Sequence, residues 1–478
     1  MDRENQSIES TTPIMKKPVK NALSLFFGDV VTRIFGFITT AYLARVLGVE
    51  SFGRIGFAQA ILTYGIVSTN FGLLTIGTRD IAKDRSQIKG LVNNILGLRL
   101  VLTLIAFGLT LIFIGLIPKP TLVKQLLLFY TISLFAQSLL LEWVFEGIER
   151  MEYIGIARVL SSAFYLGLTI LIIKSSGQLL TVPIIYFFSQ FFGVLLLFSI
   201  YLRSFGLAVP QFNLKAFRKI FIVALPVGIA SVMAQIYSNF GIVALSFLAT
   251  DTDLGLYNAA FRLVTFILLI DRVFYTTFLP VISRYFAAKS ERIKELIETL
   301  TKLILTIALP ICIGGMVLAK GLIIKIFGLQ YSNCTVIFQI IIWFFLLTIM
   351  NSLYGFGLIG AGREKLFARN IGIGTICTIG SVIILSYRFG AIGAAIATLG
   401  SEAIMVILMY SEFSRIVKTN PFKYLMIPLF SSLLMGIVLY LLRPIPVVFL
   451  ILIGILVYGL LVLAAGGIKK EEIGLIRR

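Results

Sequence analysis

Runs of about 20 consecutive apolar residues, each long enough to cross the hydrocarbon core of a bilayer, follow one another through nearly the whole chain. Broken at Pro, Gly and charge clusters, they number about fourteen. The first eight cover 22–46, 55–76, 91–117, 122–145, 153–173, 182–202, 220–248 and 255–279. The remainder cover 299–319, 334–358, 367–386, 391–411, 424–442 and 446–465. Only helices and closed barrels satisfy their backbone groups inside lipid, and runs of this length suit helices. The fold class is therefore an all-α polytopic membrane protein with about 14 transmembrane helices. Composition agrees, with 58% hydrophobic and 13% charged residues, where a soluble domain carries about a quarter charged. Short markers such as "IPKP" (117–120), "SYRFG" (386–390) and "LRPIP" (442–446) separate neighbours and imply tight antiparallel hairpins.

The net charge of +20 raises the question of nucleic acid. The basic residues are scattered among short loops instead of forming one face, so no nucleic-acid partner is expected. They favour one set of alternate loops, together with both tails: Arg3, Lys16, Lys17 and Lys20; Arg79 to Lys89; Arg150 and Arg158; Arg203 to Lys219; Arg284 to Lys302; Arg363 to Arg369; Arg415 to Lys423; Lys469 to Arg478. The positive-inside rule places that side, and both termini, in the cytoplasm. Residues 1–20 read as a polar cytoplasmic tail, and the first span is too long and too charged for a signal peptide. Residues 280–298 are expected to form a short interfacial amphipathic helix.

The chain has no histidine, which removes His metal sites, His triads and His proton relays. Cys312, Cys334 and Cys377 share no ligand spacing and read as packing residues. No metal, cofactor or catalytic group is expected, and no extramembrane stretch is long enough for a catalytic domain.

Chemistry should instead lie inside the membrane. "GDVVTRIFGFITTAYLARVLG" (28–48) carries Asp29 and Arg33 within an apolar run, on a stripe with Thr32, Gly36, Thr39 and Thr40. The second span adds Gln59, Thr63 and Asn70, and the eighth adds Asn258, Arg262, Thr265, Arg272 and Thr276. Arg99 is a further cation within the third span. Intramembrane charges usually face the bundle interior and mark a substrate or ion path. A static bridge between Asp29 and Arg33, four residues apart, is the alternative for that pair. The acids within or at the edge of spans are Asp29, Glu142, Glu146, Asp271 and Glu402; without His, any proton relay must use carboxylates. Glu146 is expected to pair with Arg150 one turn on. The GxGxxG within "GFGLIGAG" (355–362) follows an apolar helix and no strand, so it reads as a close-packing surface and not a dinucleotide site.

An internal comparison aligns "VESFGRIGFAQAILTYGI" (from 49) without gaps on "DTDLGLYNAAFRLVTFIL" (from 251), with Gly53/Gly255, Ala58/Ala260 and Thr63/Thr265 identical. Both segments lie between the first and second spans of a six-span unit. The organisation read from this is a tail (1–20), an N-terminal six-helix lobe (21–204), a cytoplasmic linker (205–219) and a C-terminal six-helix lobe (220–414). Helices 13 and 14 (415–467) and a tail (468–478) follow.

Three stretches carry a resemblance: "NALSLFFGDVVTRIFGFITTAYLARVLGVESFGRIGFAQAI" (21–61), "TIGTRDIAKDR" (75–85) and "LIGAGREKLFARN" (358–370). The chain resembles the polysaccharide-type flippases of the multidrug/oligosaccharidyl-lipid/polysaccharide exporter superfamily. The resemblance implies a V-shaped transporter of two lobes related by a pseudo-two-fold axis, alternating between inward- and outward-facing states. It also implies transport, without catalysis, of undecaprenyl-diphosphate-linked oligosaccharide (an O-antigen or exopolysaccharide repeat unit) from the inner to the outer leaflet through a cationic cavity. The location implied is the cell (inner or plasma) membrane, with the bilayer and other polysaccharide-assembly membrane proteins as partners. Arg33 and Arg262, with Arg99, are the counterparts of the cavity cations, and Arg272, Gln59, Asn70 and Asn258 join them as substrate-binding candidates. Asp29, Glu142, Asp271 and Glu402 are the coupling or gating candidates, with Asp29 holding or releasing Arg33. Arginine's planar, permanent charge suits phosphate, and Thr, Asn and Gln suit sugar hydroxyls. The rival readings are a cation-coupled multidrug exporter of the same superfamily and a membrane polysaccharide polymerase or glycosyltransferase. The first calls for acidic stripes where these are basic, and the second for a larger extramembrane loop.

Overall fold

The computed structural model describes the backbone from Lys16 to Gly466 and side chains from Leu25. The expected tails lie outside the described residues, apart from the backbone of the first helix from Lys16. Among the described residues there is no strand. The helices are α1 (Lys16–Leu47), α2 (Val49–Asn70), α3 (Leu73–Lys83), α4 (Ile88–Leu116), α5 (Thr121–Ser138), α6 (Glu142–Gly147), α7 (Met151–Ile172), α8 (Thr181–Phe205) and α9 (Leu214–Leu248). They continue with α10 (Asp251–Ile267), α11 (Leu269–Ala287), α12 (Ile293–Phe327), α13 (Cys334–Ile341), α14 (Trp343–Gly360), α15 (Glu364–Ser414), α16 (Met426–Leu441) and α17 (Val447–Ala464).

Twelve of these helical stretches are long and apolar enough to cross a membrane. The runs at 367–386 and 391–411 are two arms of α15, parted at Gly390, whose φ of 55° and ψ of −132° leave the helical region. The run at 424–442 is α16, a 16-residue helix that falls short of full bilayer thickness. Large apolar side chains stand exposed along the helices, from Leu104, Leu109 and Leu116 on α4 to Leu452, Leu456 and Leu460 on α17. In water these faces would aggregate, whereas lipid tails solvate them. The chain is a multi-pass membrane protein.

Four spans are broken, and the breaks recur. The spans Val49–Lys83, Thr121–Gly147, Asp251–Ala287 and Cys334–Gly360 each consist of two helices, α2/α3, α5/α6, α10/α11 and α13/α14. They are the second and fourth spans of each expected six-span half, a recurrence in keeping with an internal repeat. Between α2 and α3 the chain turns through Phe71 (φ 33°) and Gly72 (φ 75°), conformations that interrupt the helical ladder. The other turns have local causes as well. Thr250 and Asp253 form a capping box at the start of α10. Asp84, between α3 and α4, accepts hydrogen bonds from the Ser86 amide (2.9 Å), the Ser86 hydroxyl (2.7 Å) and Gln87 (2.7 Å). These bonds hold its carboxyl below the usual range.

The expected interfacial helix at 280–298 does not form. The chain stays in α11 to Ala287 and enters α12 at Ile293, because the apolar pattern on both sides carries each helix past the polar stretch. Three of the glycines of 355–362 pack closely, as expected: a Cβ would lie 2.9 Å from the Phe367 ring on Gly355, 2.3 Å from the Phe413 ring on Gly357 and 3.3 Å from Phe286 on Gly360, whereas one on Gly362 would meet nothing within 4 Å.

The chain divides into two compact units. One holds the residues up to Leu47 and Phe57–Gln235; the other holds Gly48–Gly56 and Ile236 onward. The division therefore runs through α2 and α9, whereas the sequence suggested a boundary at a linker spanning 205–219. That linker is strapped to α4 within the first unit: Asn93 accepts from the Val209 amide (2.9 Å) through its side chain and from the Gln211 amide (2.9 Å) through its carbonyl. The first unit's core is built around Trp143, Phe145, Ile95, Leu197 and Tyr201.

In the second unit the start of α2 crosses the start of α10 at Gly53 and Gly255, the aligned pair of the internal comparison. A Cβ on Gly53 would lie 2.5 Å from the Asp251 carbonyl and 2.7 Å from the Gly255 amide. Arg54 Nε closes the crossing by donating to Asp251 at 2.7 Å. Gly53→Val is expected to cost about 1–3 kcal/mol by overpacking. The check is the thermal unfolding midpoint of the purified protein, and an unchanged midpoint would contradict the close crossing.

Candidate functional site

In the first unit the polar residues of the spans meet in one layer, and the helix breaks explain why. When α5 stops at Ser138, its last carbonyls lose their helical partners. Arg99 of α4 serves the break: Nη2 donates at 2.6 Å to the Gln137 carbonyl, which also accepts from the Leu140 amide at 3.3 Å, and Nη1 donates to the Leu140 carbonyl, just past the end of α5, at 2.9 Å. Nη2 also donates to Asn70 Oδ1 at 2.9 Å, at the last residue of α2 and so at the second break. One guanidinium, 1% exposed, thus serves both broken spans. Arg99 and Asn70 are turned into the protein by this geometry, although sequence reasoning grouped them with the substrate ligands. The Gln137 side chain extends the layer to α8 by donating to Gln190 at 2.8 Å.

The break between α5 and α6 also makes Glu142 the first residue of α6, facing α7. Arg158 grips it with two parallel bonds, Nε to Oε1 at 2.8 Å and Nη2 to Oε2 at 2.7 Å. Its remaining terminal nitrogen donates to Asp29 Oδ1 of α1 at 2.5 Å. Glu146, one turn along α6, accepts from the Thr78 hydroxyl of α3 at 3.4 Å. Arg150, its expected partner, donates to the Tyr153 hydroxyl at 3.1 Å instead. Arg158, counted with a basic loop from the sequence, lies two turns inside α7. The missed signal was its position within the apolar run that begins at Tyr153.

In the second unit Glu402, on the later arm of α15, is 1% exposed. Its carboxylate accepts from the Tyr237 hydroxyl and, at 2.9 Å, from Asn351 Nδ2, two neutral donors that sequence reasoning missed. Nothing in their local patterns marks them, since the three residues come from α9, α14 and α15. Asp271 of α11 lies near enough to act on Glu402 electrostatically, and its enclosed Oδ1 has no hydrogen-bond partner. These are acceptor-rich sites able to take up a proton or a cation.

The other candidates are distributed. Arg33 is exposed on α1, Arg262 half-buried on α10 and Arg272 exposed on α11. Gln59 donates to the Tyr130 hydroxyl at 3.3 Å. Asn258 is buried, with its amide 3.4 Å from the Phe52 carbonyl and its Oδ1 without a partner. Thr39, Thr40, Thr63 and Thr276 donate to carbonyls of their own helices, which occupies each hydroxyl's proton and leaves its lone pairs. Cys312 and Cys334 are buried and Cys377 half-buried, all three as free thiols. Among the described residues no group of three or more Cys, Asp or Glu is placed to hold a metal ion.

Known proteins share both the sequence and the fold. The model of the family described as "Polysaccharide biosynthesis protein" matches residues 19–286, more than half of the chain. A putative O-antigen transporter of Shigella dysenteriae is 27% identical over 407 residues, covering 82% of this chain and 98% of the relative. A probable low-salt glycan biosynthesis flippase, Agl15 of Haloferax volcanii, is 22% identical over 430 residues, covering 88% and 89%. Among solved structures, the lipid II flippase MurJ in an inward closed conformation superposes with a TM-score of 0.76 at 19% identity, covering 93% of this chain and 98% of that one. An inward-facing multidrug resistance MATE family transporter of the MOP superfamily superposes with a TM-score of 0.65 at 16% identity, covering 81% and 96%. The fold is the one these transporters share, and the chain belongs to the polysaccharide biosynthesis protein family.

Proposed function

We propose that this protein is a flippase that carries a lipid-linked oligosaccharide from the cytoplasmic to the outer leaflet of the cell membrane. The family match carries the reading, with relatives named for O-antigen transport and glycan flipping across most of their length. The chemistry of the spans supports it. A diphosphate-linked sugar brings two or more negative charges into the membrane, and permanent cations suit the task of holding it. Arg33, Arg262 and Arg272 are assigned that task, while Arg99 serves the helix breaks. Gln59 and Asn258 are assigned to sugar hydroxyls. The carboxylate groups, Asp29 with Glu142 and Asp271 with Glu402, are assigned to coupling, by exchange of a proton or a cation during the cycle. Expression in cells that lack their own O-antigen-type exporter should restore surface glycan, and failure at normal protein levels would count against the reading.

Both termini are assigned to the cytoplasm from the Lys and Arg bias. In a background with Cys312, Cys334 and Cys377 replaced, single cysteines at Lys83 and Arg363 should resist an impermeant thiol reagent in intact cells, and one at Asp253 should label. Labelling of both basic positions from outside would reverse the orientation.

A further inference from the structure

We infer that the connection from α15 to α16 is a docking site for the anionic headgroup of a membrane phospholipid. Lys418 and Lys423 take the headgroup, and Phe422 and Met426 enter the acyl chains beneath it. Helix α16 sets the depth of this connection in the bilayer. Its side chains Met426, Phe430, Leu434, Ile437 and Leu441 recur at helical spacing, and all five are exposed. Lipid tails solvate such a stripe, where water would not. Phe422, four residues before Met426 and 72% exposed, carries the stripe onto the turn Pro421–Tyr424 that leads into α16. On the far side of Phe422 stand Asn420 and Lys418, both exposed, so hydrocarbon gives way to headgroups at this level.

The connection has a built shape. Val417 is buried, and the Tyr410 hydroxyl donates to the Thr419 carbonyl at 2.7 Å. The Asn420 side chain accepts from the Phe422 amide at 3.1 Å, which starts the turn, and the Tyr424 hydroxyl donates to Glu298 of α12 at 2.6 Å. These ties leave Lys418 and Phe422 on the outside. Both ends of α15 meet here, since Arg369 near its start donates to Glu412 near its end at 2.6 Å. Arg415 pairs with the same carboxylate at 3.0 Å, and Lys423 lies 3.7 Å from Glu298. Four cations, Arg369, Arg415, Lys418 and Lys423, thus stand over two carboxylates that are each already shared. Lys418 has no ion pair among the described residues. Excess positive charge at the rim of a lipid-facing helix, with an aromatic ring beside it, suits an anionic headgroup. The stripe runs unbroken into α16, which favours lipid over an acidic protein segment, because such a segment would answer the charges alone.

The test reads the lipid that lies against α16. A single cysteine at Phe430, in a background with Cys312, Cys334 and Cys377 replaced, carries a bimane fluorophore, and the protein is reconstituted in phosphatidylcholine vesicles. A small fraction of lipid with a nitroxide on its chain, either phosphatidylglycerol or phosphatidylcholine, is present in both leaflets. Phosphatidylglycerol should associate about fivefold more strongly than phosphatidylcholine and quench accordingly, the effect of about one surface cation. Lys418→Gln/Lys423→Gln should bring the two lipids to parity, while Lys418→Arg/Lys423→Arg should keep the preference. A probe at Leu195, exposed on α8 two turns before Arg203, should show little preference. Equal quenching by the two lipids at Phe430 with both lysines present would leave the face to an acidic protein segment and overturn the proposal. So would a preference that survives the Gln pair, or one that is lost in the Arg pair. An equal preference at Leu195 would show a diffuse attraction in place of a site, and would overturn it too.

Discussion

Arg33→Ala and Arg262→Ala are each expected to abolish surface-glycan export while leaving the amount of protein in the membrane unchanged. The two arginines lie on α1 and α10, in different compact units, so neither replacement repeats the other. A charge-assisted contact to a desolvated phosphate is worth about 2–5 kcal/mol when one partner is truncated. That corresponds to a loss of roughly thirtyfold to several thousandfold in binding. Lys119→Ala is the control, because Lys119 lies in the short turn between α4 and α5, near the Phe57 ring. It should export normally. The assay is surface glycan in cells lacking their own exporter, with membrane protein measured in parallel. Normal export by both arginine variants would remove the phosphate-ligand assignment.

Arg99 gives the second large effect, on stability instead of transport chemistry. Arg99→Met would leave the Leu140 carbonyl and the Asn70 side-chain oxygen without the donor Arg99 gives them inside a closed core, and would take from the Gln137 carbonyl the shorter of its two bonds. Orphaned polar groups of this kind cost about 1–3 kcal/mol each, so a total of about 3 kcal/mol or more is expected. The thermal midpoint in detergent should fall by several degrees, on the order of 5 °C or more. Arg99→Lys should recover little of it, since an ammonium lacks the planar fork that reaches two helix breaks at once. If Arg99→Met melts with the unaltered protein while export is lost, Arg99 is a substrate ligand after all, as its position in the third span first suggested.

The contrast between these arginines shows what the sequence could carry. Span positions were legible because a run of about 20 apolar residues has few other uses. The Gly and Pro markers located most turns, including the parting of α15 at Gly390. The breaks at Phe71–Gly72 and at Leu139–Leu141 were not legible. The few polar residues at each break, Ser68 to Asn70 and Gln137 to Ser138, do not change the period of the apolar run enough to announce a stop, and the stop is stabilised by a side chain from another helix. The layer around Arg158 was hidden for a related reason. A helix wheel connects Asp29 with Arg33, but it gives no hint of the bond that Asp29 accepts from Arg158, 129 positions away. Arg158 itself stood close enough to Arg150 to be counted with the loop. Glu402 was visible as an intramembrane acid, yet Tyr237 lies 165 positions from it and carries no mark of its own.

The most direct measurement of the central claim is transbilayer movement in sealed vesicles. Purified protein is reconstituted with a polyprenyl-diphosphate-linked oligosaccharide, and the fraction of glycan open to an added impermeant glycosidase is followed. With the unaltered protein the shielded inner-leaflet pool should become accessible over time. With Arg33→Ala/Arg262→Ala it should stay shielded, as in vesicles without protein. If the unaltered protein moves no more glycan than empty vesicles, or if the double variant moves it equally fast, the account is wrong.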